Sequence, residues 1–212
     1  LLPGGYLGVD IFFVISGYVI TSSLFRRPSK DFKDFISGFY ERRIKRILPA
    51  LILNILLVTL LISFFNPTTG RDLRTGALSI VGISNIYLSL LSTDYFGPAA
   101  SLNAFTQTWS LGVEEQFYMV YPLVVWFTGF AQRSKVRNFV ICLGSLGCLS
   151  LVLFFTNTAG YGAYYLLNFR FWEITAGCLT FLVCKRVNNY RLSKLPIPIV
   201  AICLITLAMF LP

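Results

Sequence analysis

The sequence predicts an all-α fold, a polytopic transmembrane helix bundle. Three observations lead there. Of 212 residues, 56% are hydrophobic and 13% charged, against about 25% charged in an ordinary soluble domain; mean hydropathy is +0.71. The apolar residues gather in runs close to the ~20 residues that a helix needs to cross a bilayer. The lysines and arginines gather between those runs, as they do in cytoplasmic loops. The net charge of +9 therefore belongs to loops, not to a basic stripe on a soluble module, and nucleic-acid binding is set aside.

Six or seven segments qualify as spans: 7–25, 48–65, 73–92, 112–130, 138–156, 168–184 and an incomplete 196–212. The first is almost all apolar and carries one acid, Asp10. Ahead of the second lies "FKDFISGFYERRIKRI", with Phe32, Phe35, Ile36, Phe39, Tyr40, Ile44 and Ile47 near a helical period. It reads as an amphipathic helix at the cytoplasmic interface, ending where Pro49 suits the first turn of a new helix. The third segment is the most polar, with Arg74, Ser79, Ser84 and Asn85. No internal repeat or low-complexity tract is present.

Loop charges set the orientation. Arg26, Arg27, Lys30, Lys33, Arg42, Arg43, Lys45 and Arg46 crowd 26–46; Arg133, Lys135 and Arg137 mark a second loop; Lys185, Arg186, Arg191 and Lys194 mark a third. Segments 93–110 and 157–169 have no Lys or Arg. The positive-inside rule puts the first three inside and the last two outside. Simple alternation of six crossings cannot satisfy this. The conflict goes away if part of 66–110 is re-entrant or half-spanning and shielded by protein. The competing reading is a plain crossing with a weak charge rule at the short second loop.

The five cysteines are odd in number, form no CxxC and mostly lie in apolar runs, as small packing residues do. There is no His, so neither a His-based metal site nor a Ser-His-Asp triad is built from this stretch, and no metal is expected. The chain opens Leu-Leu-Pro and ends in an apolar run, and is read as a piece of a longer membrane protein.

Charges inside spans are the functional candidates, because each costs on the order of 2.5–3.5 kcal/mol to insert at a helix centre. Asp10 reads either as a carboxylate orienting a catalytic base or as an acid at a helix N-terminus, where the macrodipole favours it. Arg42, Arg43 and Arg46 lie at the cytoplasmic entry of the second span, with Arg42 and Arg46 on one face. They read either as a phosphate grip or as anchors on anionic headgroups. Glu114 shares a face with Tyr118 and Tyr121, a polar seam, whereas Glu115 points toward solvent or headgroups. Arg170 and Glu173, three apart, can pair along one helix, most often as structural glue. No P-loop, HExxH or GxSxG occurs. An enzyme, a transporter and a channel all remain open on these grounds.

Four stretches carry a resemblance: "PGGYLGVDIFFVISGYVIT", "FYERRIKRILPAL", "TWSLGVEEQFYMVYPL" and "FRFWEITAG". In this order and rough spacing they resemble successive blocks of the membrane-bound acyltransferase family 3, the glycan and lipopolysaccharide O-acetylases. The resemblance covers almost the whole chain, so 1–212 is expected to be a single membrane domain of that type, truncated at both ends. It implies a bundle of about ten helices and transfer of an acyl group, usually acetyl from acetyl-CoA, to a hydroxyl of a cell-surface sugar. Expected partners are acyl-CoA on the cytoplasmic side, a glycan or lipid-linked sugar acceptor and membrane lipid, in a bacterial inner membrane. By motif match Asp10 and Glu114 are the candidate catalytic acids. Arg43 and Arg46, with Arg42 beside them, are the candidate donor-binding residues. Trp109, Ser110, Tyr118, Arg170 and Glu173 are expected to line the substrate path or support it.

Two departures stand out. The family's catalytic His precedes the block that contains Asp10, upstream of residue 1. Many relatives carry His before the T-W-S-L stretch, where this chain has Gln107; an amide cannot take a proton near neutral pH. The implied scheme has Arg43 and Arg46 holding CoA phosphates inside and Asp10, toward the outer face, orienting the upstream His. Glu114 lines the cavity or positions the acceptor. The rivals from other classes are a transporter or flippase and a non-catalytic membrane interaction subunit.

Overall fold

A computed structural model of the chain describes residues 7–26, 31–65, 69–93, 102–128, 136–156 and 164–186. Among them the regular elements are helices and no strand occurs: α1 (Leu7–Arg26), α2 (Phe32–Phe65), α3 (Gly70–Ile80), α4 (Ser84–Thr93), α5 (Thr108–Phe127), α6 (Val136–Thr156) and α7 (Leu167–Arg186). Three of these, α1, α2 and α6, are long and apolar enough to cross a membrane. The segment 196–212, and the loop positions Arg133, Lys135, Arg191 and Lys194, lie outside the described residues.

Two expectations about helix boundaries change. The interfacial helix and the second span are one 34-residue helix, with Pro49 in its interior. Proline removes one hydrogen bond, that to the carbonyl four residues back. The leucine- and isoleucine-rich turns that follow and the Arg/Lys-rich turns before it are strong enough helix formers to continue through it. At 1.5 Å per residue α2 is about 51 Å long, well beyond a ~30 Å hydrocarbon core. Its second half is exposed on nearly every side, Leu53, Leu56, Leu60 and Phe64 among them, as expected of a helix facing lipid.

Segment 73–92 is not one rod. It breaks at Val81–Ile83 into α3 and α4, of 11 and 10 residues, each about half the length that a crossing needs. Gly82 makes the break, at φ +74, a left-handed conformation that costs other L-residues about 1–2 kcal/mol. The polar residues of this segment are buried in protein, with Thr75, Ser79, Ser84 and Asn85 all at 1% exposure or less.

The chain divides into two compact units, Arg27–Trp172 and Leu1–Arg26 with Glu173–Pro212. In the larger unit, α5 is the central element. It runs antiparallel to α2, with Phe32 and Phe35 on Trp126 at 5.3 and 5.5 Å and Phe39 on Tyr118 at 6.3 Å. On its other side Phe117 stacks on Tyr121 at 4.7 Å, and Tyr121 meets Phe139 of α6 at 6.1 Å. The turns at 102–107 lie along α3: Asp72 accepts the Ala104 N–H at 2.8 Å, and Asn103 Nδ2 donates to Thr75 Oγ1 at 2.8 Å. Phe105 is fully buried against Gly76, where a Cβ would come within 3.1 Å of its ring.

In the smaller unit, α1 crosses the second half of α7 on two glycines. A Cβ on Gly17 would run into the Ile174 carbonyl, and one on Gly177 into the Val14 carbonyl. Farther along, Tyr18 meets Phe181 at 5.5 Å, and Lys185 Nζ sits 3.0 Å over the Phe25 ring. Contacts advance in the same direction on both helices, so they run parallel. Small residues at such a crossing let backbones approach closely, which is how helices pack where lipid removes the hydrophobic drive between them.

Candidate functional site

Arg43 is the half-buried member of the arginine group. Its guanidinium lies 4.5 Å from the centroid of Tyr118 and 5.9 Å from that of Phe39, a cation–π arrangement worth about 0.5–2 kcal/mol. Tyr40 fixes the same contact by donating its hydroxyl to the Tyr118 and Met119 carbonyls at 3.3 and 3.2 Å. Arg42 and Arg46 are exposed, leaving charged, donor-rich surface beside Arg43, the chemistry that phosphate oxygens take. Because α2 is continuous through Pro49, these arginines stand in mid-helix, not at the entry to a new one.

Glu114 is one turn before Tyr118 on α5, about 6 Å along the axis. It is 5% exposed, with Tyr118 at 5% and Tyr121 at 1% on the same face. The antiparallel pairing of α2 and α5 thus sets Arg43 within a turn of the level of Glu114. Glu115 is not turned out to solvent or headgroups as expected. It is half-buried under the α3–α4 turn, in the space left by the missing side chain of Gly82.

A second cluster joins the T-W-S-L and F-R-x-W-E stretches. Trp109, 7% exposed, packs on Tyr164 at 4.9 Å and on Tyr165 at 5.6 Å. Arg170, 4% exposed, places its guanidinium 4.2 Å from the Tyr164 centroid and 5.4 Å from that of Phe154. Ser110 is half-buried and donates to the Gln107 carbonyl at 3.3 Å, within its own turn. Gln107 is exposed at the N-cap of α5 without a side-chain capping bond. An apolar cavity of about 300 Å³ opens between α5, α6 and the start of α7, lined by Val120, Leu149, Leu153 and Phe171 with Ser150 at its edge.

In the smaller unit, Asp10 lies in the first turn of α1, half-buried. It continues the stripe of buried Phe13, Gly17 and Leu24 at helical spacing. Glu173, 1% exposed, is four residues before Gly177 on the stripe of α7 that takes part in the crossing. Since the two helices run parallel, both acids lie at the same end of the pair. No group of three or more His, Cys, Asp or Glu able to hold a metal occurs among the described residues. Cys142, Cys148 and Cys184 are free thiols, and Cys178 Sγ donates to the Gly17 carbonyl at 3.4 Å.

The sequence reading passed over Tyr164, Tyr165 and Gln116. Asn85 entered it only as one of several polar residues in a doubtful span. Nothing periodic links an amide on α4 to one on α5 thirty-one residues away, and only the fold brings them together.

A family model described as an acyltransferase domain matches residues 3–212. O-acetyltransferase OatA of Staphylococcus aureus (strain NCTC 8325 / PS 47) is 36% identical over 184 residues, covering 84% of this chain and 30% of that protein. Peptidoglycan O-acetyltransferase OatA of Listeria monocytogenes serovar 1/2a is 32% identical over 179 residues, 82% of this chain and 29% of that protein. The chain thus spans about 30% of the length of these relatives. No solved structure matches it.

Proposed function

Because the chain belongs to the acyltransferase 3 family, we propose that it is the membrane portion of an O-acyltransferase that moves an acetyl group from acetyl-CoA to a hydroxyl of a cell-surface glycan. Peptidoglycan is the favoured acceptor, from the name of the Listeria relative. The observation that carries the reading is the α2–α5 pairing, which sets Arg43 on Tyr118 a turn away from buried Glu114. A cation suited to a phosphorylated donor and an acid suited to an acceptor hydroxyl then share one face of the larger unit.

In this reading Arg43 and Arg46, with Arg42 beside them, hold donor phosphates on the cytoplasmic side. Charge-assisted bonds to phosphate are among the stronger hydrogen bonds available to a side chain. Glu114 accepts a hydrogen bond from the acceptor hydroxyl and orients its oxygen. The hydroxyl proton passes to a general base as that oxygen forms a bond to the thioester carbonyl carbon, and the thiol leaves with a proton returned to it. Asp10 orients the base and stabilises its cationic form. Trp109, Ser110, Tyr118 and Arg170 shape the path between donor and acceptor in the larger unit, and Glu173 has a structural role in the smaller one. The protein works as a polytopic bundle over 1–212 in a bacterial inner membrane; with the α3–α4 region re-entrant and shielded by α5, six of the seven candidate segments cross.

The test is incorporation of label from [¹⁴C]acetyl-CoA into glycan by membranes carrying the full-length protein, compared with Glu114→Gln. Labelled glycan with the wild type and a loss of about a hundredfold in the variant are expected. Equal incorporation by the two removes Glu114 from the chemistry, and no incorporation by the wild type overturns the reading.

A further inference from the structure

Asn85 is fully buried, and each polar atom of its side chain is used. Its Nδ2 donates to Gln116 Oε1 at 3.3 Å and to the Tyr165 carbonyl at 3.0 Å. Gln116 Nε2 returns a bond to Asn85 Oδ1 at 2.7 Å and donates its other hydrogen to the Gly82 carbonyl at 3.0 Å. The two amides thus exchange hydrogen bonds, and each spends its remaining N–H on a backbone carbonyl of a different connection. One is the α3–α4 turn; the other is the step into α7. Turning either amide over would set oxygen against oxygen, so the orientation follows from the network.

Room for this pair is built into two glycines. A Cβ on Gly112 would stand 2.8 Å from Asn85 Oδ1, so α5 passes the amide only because residue 112 has no side chain. Gly82 turns its carbonyl toward Gln116 from a left-handed conformation. Ser84 ties the same region down by donating to the Thr108 carbonyl at 3.0 Å.

What the pair holds matters more than that it is satisfied. Tyr165 and its neighbour Tyr164 form the platform on which Trp109 packs, and the Arg170 guanidinium lies on the other contact of Tyr164. Arg170 Nε also donates to the Tyr164 carbonyl at 3.4 Å, a long bond that small displacements would break.

We propose that Asn85 and Gln116 are positioning residues for acyl transfer: their reciprocal amide pair fixes the Tyr164–Tyr165 step, and through it the mutual placement of Trp109 and Arg170. The kinetic part of this rests on the acyltransferase reading above; the structural part does not. A displacement near 1 Å at a reacting constellation costs up to about a hundredfold in rate.

The test uses the full-length protein labelled with 5-fluorotryptophan, the Trp109 resonance being identified by its loss in Trp109→Phe. Asn85→Asp and Gln116→Glu keep side-chain shape and remove the donors. Each is expected to move the ¹⁹F resonance of Trp109 while that of Trp126 stays in place. Each should also lower kcat about tenfold to a hundredfold with donor KM within about twofold. The swap Asn85→Gln with Gln116→Asn keeps the combined length of the pair, and is expected to bring the Trp109 resonance and most of kcat back. An unmoved Trp109 resonance in Asn85→Asp overturns the proposal. So does movement of Trp109 and Trp126 together in both the single variants and the swap, which is general loss of structure. A wild type that transfers no acetyl group removes the acyltransferase reading alone, and the resonances still decide whether the amide pair holds Trp109.

Discussion

Asp10 and Arg43 make different demands on their surroundings, and each can be tested by itself. Asp10 lies in the first turn of α1, where the macrodipole already favours a negative charge. An asparagine there keeps the shape and loses the charge. If the carboxylate supports a general base, Asp10→Asn in the full-length protein lowers kcat by about a hundredfold or more with donor KM unchanged. If it only caps the helix, kcat stays and the melting temperature falls slightly. Arg43 holds its guanidinium 4.5 Å from the Tyr118 centroid, so its contact with the ring matters as well as its charge. Arg43→Ala with Arg46→Ala is expected to raise the donor KM by about tenfold or more, since a hydrogen bond to a charged group is worth about 1.5–3 kcal/mol. Steady-state kinetics with acetyl-CoA varied measures it. Asp10 could be singled out from sequence because a charge within an apolar run is costly, and Arg43 because arginines cluster at the entry of a span. Gln116 could not, because between Glu115 and Phe117 one more polar residue near a helix start draws no notice.

At the scale of elements, glycines decide what can pack. Gly17 and Gly177 each face a backbone carbonyl of the opposite helix. Gly17→Ala or Gly177→Ala is expected to destabilise by about 1–3 kcal/mol through overpacking, read as a lowered midpoint of thermal unfolding in detergent. Gly144 of α6 has nothing within 4 Å of its would-be Cβ, so Gly144→Ala in the same assay should be neutral or slightly stabilising. Gly82→Ala meets both an unfavourable φ and the Glu115 carboxylate. A loss of about 1–2 kcal/mol is expected from the backbone alone. The two boundary errors at this scale share a cause. Hydropathy averages over a window, so it neither sees that Pro49 leaves α2 unbroken nor that one left-handed residue splits 73–92.

At the scale of the whole molecule, the side of the membrane that each loop faces is the property to measure. A re-entrant pair of short helices, as proposed above, fits the loop charges, which disagree with six simple crossings. Single cysteines introduced at residues 95–102 of a cysteine-free version are expected to react with an impermeant maleimide added from outside the cell. Labelling from the cytoplasmic side alone overturns the re-entrant arrangement. The donor side is tied to the same answer, because the arginines of α2 belong to the most basic segment of the chain, 26–46.

By itself the sequence determined the helical class, the membrane setting, the family and the ionisable residues worth testing. The family is carried by the resemblance of four motif stretches; the rest is written in local composition, where burying a charge or matching a bilayer's thickness leaves a mark on neighbouring residues. Only the tertiary structure decided that the arginines stand in mid-helix a turn from the level of Glu114. It alone decided that α1 and the end of α7 run parallel through two glycines, and that Asn85 and Gln116 tie together two connections, the α3–α4 turn and the step into α7. Those facts depend on which helix faces get close, and residues far apart in the chain become neighbours without any shared period to announce it.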